Sequence, residues 1–177
     1  MMDFLDLAMR RESCRDFSNR PVEREKLEKM IEAARIAPSA CNGQSWFFTV
    51  VREPGAVARV ADCCAHMGMN KFAHTAPAFI VCEECKPNLT SRLGGGVKNQ
   101  QFTNLDLGLA VMQICLEATD QGLSTCILGW FQEEKLKKMV PLKGGRVRLV
   151  IAVGYAKTDA IRPKKRKKTE EISCFVE

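Results

Sequence analysis

Between Phe102 and Gln121 the chain carries apolar residues on almost every side of a helix. Leu105, Leu109, Met112 and Leu116 recur at helical spacing, and Leu107, Val111, Ile114 and Cys115 widen that stripe around the cylinder. One sheet face cannot cover such a helix. The pattern therefore predicts a long helix covered from two directions, a candidate core for a dimer. Gly122 follows directly and reads as its C-terminal cap.

Around this segment, short apolar runs alternate with helical periods. Phe4 to Arg11 reads as a short helix, and Pro21-Val22-Glu23 opens another whose buried face is Leu27, Met30, Ile31 and Ala34. Pro38 ends it. Trp46 to Val51 and Pro77 to Cys82 read as strands buried on both faces, and Ser124 to Leu128 and Arg146 to Tyr155 as two more. Pro54-Gly55 reads as a turn before a helix from Ala56 to His66, and Gly68 to Thr75 as a loop. Residues 83–101, with Gly94-Gly95-Gly96, read as a flexible loop, Glu133 to Val140 as an amphipathic helix, and Ile172 to Val176 as a terminal strand. Strands alternating with helices, taken alone, suggest a doubly wound parallel sheet in one domain over residues 1–177.

The chain's 177 residues can bury a sizeable core. No apolar run reaches the length of about 18 residues that a membrane helix needs. The N-terminal Met-Met-Asp-Phe-Leu-Asp lacks the basic and long apolar regions of a signal peptide, so a cytoplasmic location is expected. Nine cysteines then read as thiols rather than a disulfide framework. Cys82-x-x-Cys85 has metal or redox spacing, but adjacent Cys63 and Cys64 do not make a second knuckle, and no metal site is expected. His66 and His74 read as helix-end and loop residues rather than general acids. The net charge of +6 favours anionic partners. No Gly-x-Gly-x-x-Gly and no Walker sequence is present, so neither a Rossmann nor a nucleoside-triphosphate site is indicated.

Two stretches carry chemistry. Arg10 to Phe17 reads Arg-Arg-Glu-Ser-Cys-Arg-Asp-Phe. In an extended chain alternate residues share a side, so Arg11, Ser13 and Arg15 would present two guanidiniums and a hydroxyl to one patch. That suits an anionic, planar ligand. A solvated basic turn is the plainer alternative. Residues 37–46 read Ala-Pro-Ser-Ala-Cys-Asn-Gly-Gln-Ser-Trp, with two amides between a helix and an aromatic strand.

Together these stretches resemble the nitroreductase family of FMN-dependent oxidoreductases, which opens with Arg-x-Ser-x-Arg/Lys-x-Phe and continues with a Pro-Ser-x-x-Asn-x-Gln-Pro-Trp-like run. The resemblance covers nearly the whole chain and suggests a compact member. Ser45 stands where the family usually has Pro. The resemblance implies an α+β fold: a mixed, mostly antiparallel sheet flanked by helices, with two chains wrapped into a homodimer. It also implies hydride transfer from NAD(P)H to flavin N5 and onward to a small organic acceptor, such as a nitroaromatic or quinone, with ping-pong kinetics. The flavin carries the chemistry, so no catalytic side chain is expected.

By the same resemblance, Arg11 and Ser13 hold the phosphate and ribityl end of FMN, and Arg15 reaches toward N1 and O2 of the ring. Pro38, Ser39, Asn42 and Gln44 form a second wall, partly supplied by the other subunit. Lys71 lies near the ring, and Leu128-Gly129 aims a backbone amide at N5. In the run Pro163-Lys164-Lys165-Arg166-Lys167-Lys168, Lys164 and Arg166 match residues that close on the phosphate, with Lys165 pointing away. Neither nucleic acid nor a membrane is an expected partner. The alternatives are a flavin-binding storage or sensor protein without reductase turnover, and a basic binding module using residues 162–168.

Overall fold

The computed structural model describes residues 3–90 and 100–177. The triglycine Gly94-Gly95-Gly96 of the expected 83–101 loop lies outside the described residues. The helices are α1 (Phe4–Arg10), α2 (Arg24–Arg35), α3 (Pro54–Cys64), α4 (Phe102–Asp120) and α5 (Glu133–Lys137). The strands are β1 (Trp46–Val51), β2 (Ala78–Glu84), β3 (Ser124–Leu128) and β4 (Arg146–Gly154).

The strands form one sheet in the order β1-β2-β4-β3, and every neighbouring pair is antiparallel. The parallel arrangement suggested by alternation alone is not formed. The register shows why. Val51, the last residue of β1, faces Phe79 near the start of β2, so the chain returns at the end where it left. The path goes out along α3 and comes back through 3-10 turns at His66–Gly68 and Lys71–Thr75. Hydrophobic periodicity records the strands and the helix but not this return.

Two cores lie on opposite faces of the sheet. Phe79 and Val81 of β2, with Val150 and Ala152 of β4, pack beneath Val60 and Cys64 of α3 and Leu136 of α5. Ala78, Ile80, Cys82, Ile151 and Val153 point the other way, against Leu27, Met30 and Ala34 of α2 and Leu107, Val111 and Ile114 of α4. Period-two alternation on the central strands thus sorts the residues between two helical layers.

Several boundaries differ from the sequence expectations. Helix α3 starts at Pro54, because the Glu53 carboxylate accepts from the backbone nitrogens of Gly55 (2.8 Å) and Ala56 (2.6 Å). Residues 68–75, expected as a loop, include the 3-10 turn Lys71–Thr75. Strand β2 runs on to Glu84. Trp46, Phe47 and Phe48 are half-buried, since β1 is an edge strand with a neighbour on one side only. Helix α5 stops at Lys137, short of Val140, and tightens into a turn before Pro141. Ile172 to Val176 form no strand; these residues are exposed and no strand edge of the described residues pairs with them.

At the end of α4, Gly122 adopts φ +74°. Its N–H donates to Thr119 O and that of Leu123 to Ala118 O, the double bond of a Schellman cap. Helix α4 therefore ends abruptly at Asp120, and β3 begins at Ser124, two residues after Gly122.

Candidate functional site

The strip from Arg11 to Ser18 is held along the far edge of the sheet. Ser13 bridges Thr125 of β3 in parallel fashion, and Cys14 N–H donates to Thr125 O at 2.9 Å. Further on, Phe17 bridges Ala156, Ser18 N–H donates to Tyr155 O at 2.8 Å, and Lys157 N–H donates to Asp16 O at 3.1 Å. Cys14 and Phe17 are buried in the core under α3. A Cβ at Gly154 would come within 2.6 Å of Pro77 and 2.9 Å of the Phe17 ring, so the strip's close approach needs glycine there. With Cys14 and Phe17 pinned inward, Arg11 and Ser13 are left half-buried and Arg15 exposed.

The segment after β4 folds back over this strip. Arg162 donates through its backbone N–H and Nε to Glu12 at 3.1 and 3.4 Å, and through a terminal nitrogen to Ser13 O at 2.6 Å. Lys164 Nζ donates to Arg11 O at 2.6 Å. The result is a cavity of about 310 Å³ lined by Arg11, Glu12, Ser13 and Arg15 on one side and residues 162–166 on the other. Arg11, Ser13, Arg15, Lys164 and Arg166 are thereby brought together. Lys165, expected to point away, is exposed but also lines the cavity. Burial is the first cause that lowers the Lys164 pKa, and the charges of Arg11 and Arg166 lower it further. Among the described residues lining the cavity Glu12 is the one carboxylate. An anion entering here would meet several donors and offset their mutual repulsion, so the residues present fit a phosphate-bearing ligand.

Larger cavities exist, including one of about 400 Å³ between α2 and β1. Its floor is Leu27, Ile31 and Val50, and on its rim Arg24 is already paired with Glu28 at 2.6 Å. Convergent cations, rather than volume, single out the smaller one.

Ser39, Asn42 and Gln44 lie apart from the cationic cavity within the one chain. Ser39 Oγ accepts from Gln44 N–H at 3.0 Å, and Gln44 Nε2 donates to Asn42 Oδ1 at 2.9 Å. The backbone is left-handed at Cys41 (φ 52°), Asn42 (49°) and Gln44 (45°), an uncommon run for residues other than glycine. Asp106 of α4 pins this turn by accepting from Ala40 N–H at 3.1 Å. Pro38 is exposed beside it.

Lys71 is exposed on a turn that touches the strip. In that turn the Phe72 ring lies 6.0 Å from the Arg15 guanidinium, and Thr75 Oγ1 accepts from Phe17 N–H at 3.1 Å. Leu128 is buried in the core, so it can offer only its backbone outward, while Gly129 is exposed. Asn70 links these pieces, donating to Trp130 O at 3.2 Å and Cys64 O at 3.4 Å. Sequence reasoning passed over Asn70 and Glu12 as site residues, and placed Arg162 only in the alternative basic module of residues 162–168. Cys82 is fully buried, and burial pushes its thiol and that of half-buried Cys85 up. No group of three or more metal-ligating side chains occurs among the described residues. No helix among them is long and apolar enough to cross a membrane.

This two-core, antiparallel arrangement is that of solved nitroreductase-family structures. A nitroreductase family protein from Streptococcus pneumoniae TIGR4 superimposes with a TM-score of 0.82, covering 98% of this chain and 100% of that one at 26% identity. A nitroreductase-fold protein from Exiguobacterium sibiricum 255-15, solved in complex with FMN, matches with a TM-score of 0.78 over 99% of this chain and 98% of that one at 20% identity, a likeness of fold alone. In sequence, the oxygen-insensitive NADPH nitroreductase of Helicobacter acinonychis (strain Sheeba) is 26% identical over 92% of each chain. The sequence model of the nitroreductase family matches residues 8–68 and 64–155. The chain belongs to the nitroreductase family.

Proposed function

We propose that the protein is an FMN-dependent NAD(P)H oxidoreductase that works as a homodimer and reduces a small organic acceptor. One observation carries the reading: residues separated by most of the chain, Arg11, Ser13, Arg15, Lys164 and Arg166, line a single cavity. When bound, FMN supplies the hydride chemistry between NAD(P)H and an acceptor such as a nitroaromatic or quinone. Arg11, Lys164 and Arg166 supply charge-assisted donors for its phosphate, and Ser13 adds a hydroxyl. Arg15 supplies a fixed positive charge for the pyrimidine edge of the ring. The left-handed turn at Ser39–Gln44 and the backbone after Leu128 complete the walls, the former partly across a dimer axis. Support for the dimer comes from α4, on which Leu105, Leu109 and Met112 remain 59%, 48% and 43% exposed in the single chain.

The test is optical. Purified protein is expected to be yellow, to release FMN on heating, and to bleach under anaerobic NADH or NADPH. Refolding with FMN that yields no visible flavin band rejects the cofactor. A yellow protein that neither donor bleaches points instead to flavin storage or sensing.

A further inference from the structure

The contacts between the basic segment and the strip run one way. Arg162 and Lys164 donate, and Glu12, Ser13 and Arg11 accept. The closed arrangement gathers Arg11, Arg15, Arg162, Lys164, Lys165 and Arg166 around one cavity, and their mutual repulsion opposes it. Within the lining Glu12 alone supplies a negative charge, and its side chain is only 21% exposed. Both side-chain and backbone donors of Arg162 reach the same oxygen of Glu12, so this carboxylate is the one side chain of the strip that holds the segment where it re-enters the site, alongside the backbone oxygens of Ser13 and Arg11.

We propose that Glu12 is a positioning residue that holds the 162–166 segment closed over the Arg11–Arg15 strip before the cofactor arrives. This rests on the FMN reading and adds to it a residue outside the motif positions. Glu12 has two opposed effects on a phosphate. Its charge repels the incoming anion directly, and its grip on Arg162 assembles the cations that attract it. Because Glu12 is already engaged by Arg162, the second effect prevails, and preorganisation raises affinity. The two effects predict opposite signs for removing the carboxylate.

The experiment compares flavin-stripped, full-length wild type with Glu12→Gln, Glu12→Ala and the reversed pair Glu12→Arg/Arg162→Glu. FMN and riboflavin binding are followed by quenching of flavin fluorescence, and trypsin cleavage within residues 162–168 is timed without flavin. Glu12→Ala is expected to weaken FMN binding about tenfold, the loss of one partly buried ion pair and one backbone contact. Riboflavin, which lacks the phosphate, is expected to change by less than about twofold, since the phosphate-directed cations do not contribute to its binding. Trypsin is expected to cut faster, Glu12→Gln to fall between, and the reversed pair to recover part of the FMN affinity. Tighter or unchanged FMN binding by Glu12→Ala overturns the proposal, as does equal weakening for FMN and riboflavin. If wild type binds neither flavin, the FMN reading fails, and the trypsin arm alone decides whether Glu12 holds the segment.

Discussion

Arg15 stands apart from the other cations of its cavity. Its guanidinium faces the Phe72 ring at 6.0 Å and reaches back to Ser13 O at 3.4 Å, while Arg11 and Lys164 are tied to each other. Two residues along an extended strip move it about 6–7 Å beyond Ser13. A positive charge near the pyrimidine edge of a flavin favours the reduced, more negative form over the oxidised one. Arg15→Gln, which keeps hydrogen bonding but not charge, is therefore expected to lower the reduction potential by about 20–60 mV, from a loss of about 1–3 kcal/mol. A dye-equilibrated titration measures it, with FMN affinity followed in parallel; lost FMN at an unchanged potential would assign Arg15 to the phosphate instead. Arg11, Ser13 and Arg15 were legible in the sequence because alternation alone puts them on one side of an extended chain. Glu12 and Arg162 were not: each is an ordinary charged residue until a contact across 150 positions joins them. Asn70 was hidden in the same way, since its role is to accept a left-handed backbone and to reach Trp130 O from a turn.

The elements are tied together at a corner around Tyr155, just past β4. Its hydroxyl donates to Glu23, the residue before α2, at 2.6 Å, and its ring lies 3.9 Å from the Arg20 guanidinium and 5.1 Å from Lys26 Nζ. Lys26 in turn donates to Gln121 O at the end of α4, at 2.7 Å. The Tyr155 hydrogen bond is the first cause that depresses the Glu23 carboxyl from its ordinary 4.5 to about 2. A depressed carboxylate contributes stability above its unfolded pKa and loses it as pH falls toward its folded one. Stability measured by denaturant titration should therefore decline between about pH 4.5 and about pH 2, and Tyr155→Phe should flatten that decline. An identical slope in the variant would assign the acid sensitivity to other carboxylates. At this scale the sequence was informative about where strands and helices lie, since β1, β3 and most of α2 and α4 follow from period and capping residues. Alternation alone pointed to the wrong strand direction, because two 3-10 turns bring the path back between β1 and β2 without leaving a periodic signal, whereas the family resemblance implied the antiparallel pairing that is formed. The run Ile172 to Val176 had strand-like composition but pairs with no strand among the described residues.

For the whole molecule, α4 divides the apolar stripe that the sequence displayed. Leu107, Val111, Ile114 and Cys115 are consumed by the core, while Leu105, Leu109 and Met112 stay exposed, as do Phe4, Leu5 and Met9 of α1, the helix that contacts α4. Leu109→Asp is expected to convert the proposed dimer to monomers in sedimentation velocity and to weaken flavin retention with it, since the proposed site takes one wall from the second chain. A variant that stays dimeric would move the interface elsewhere. The contacts of Arg162 and Lys164 with residues 11–13 have a further consequence in the order of events during synthesis. A ribosome working at about 5–20 residues per second exposes the Arg11–Arg15 strip roughly 8–30 s before the segment that closes over it. All four strands emerge within that interval, since β4 ends at Gly154. The proposed grip on a phosphate thus forms only after all four strands have emerged, and translation that stalls before Arg162 leaves a complete sheet without the segment that closes over the strip.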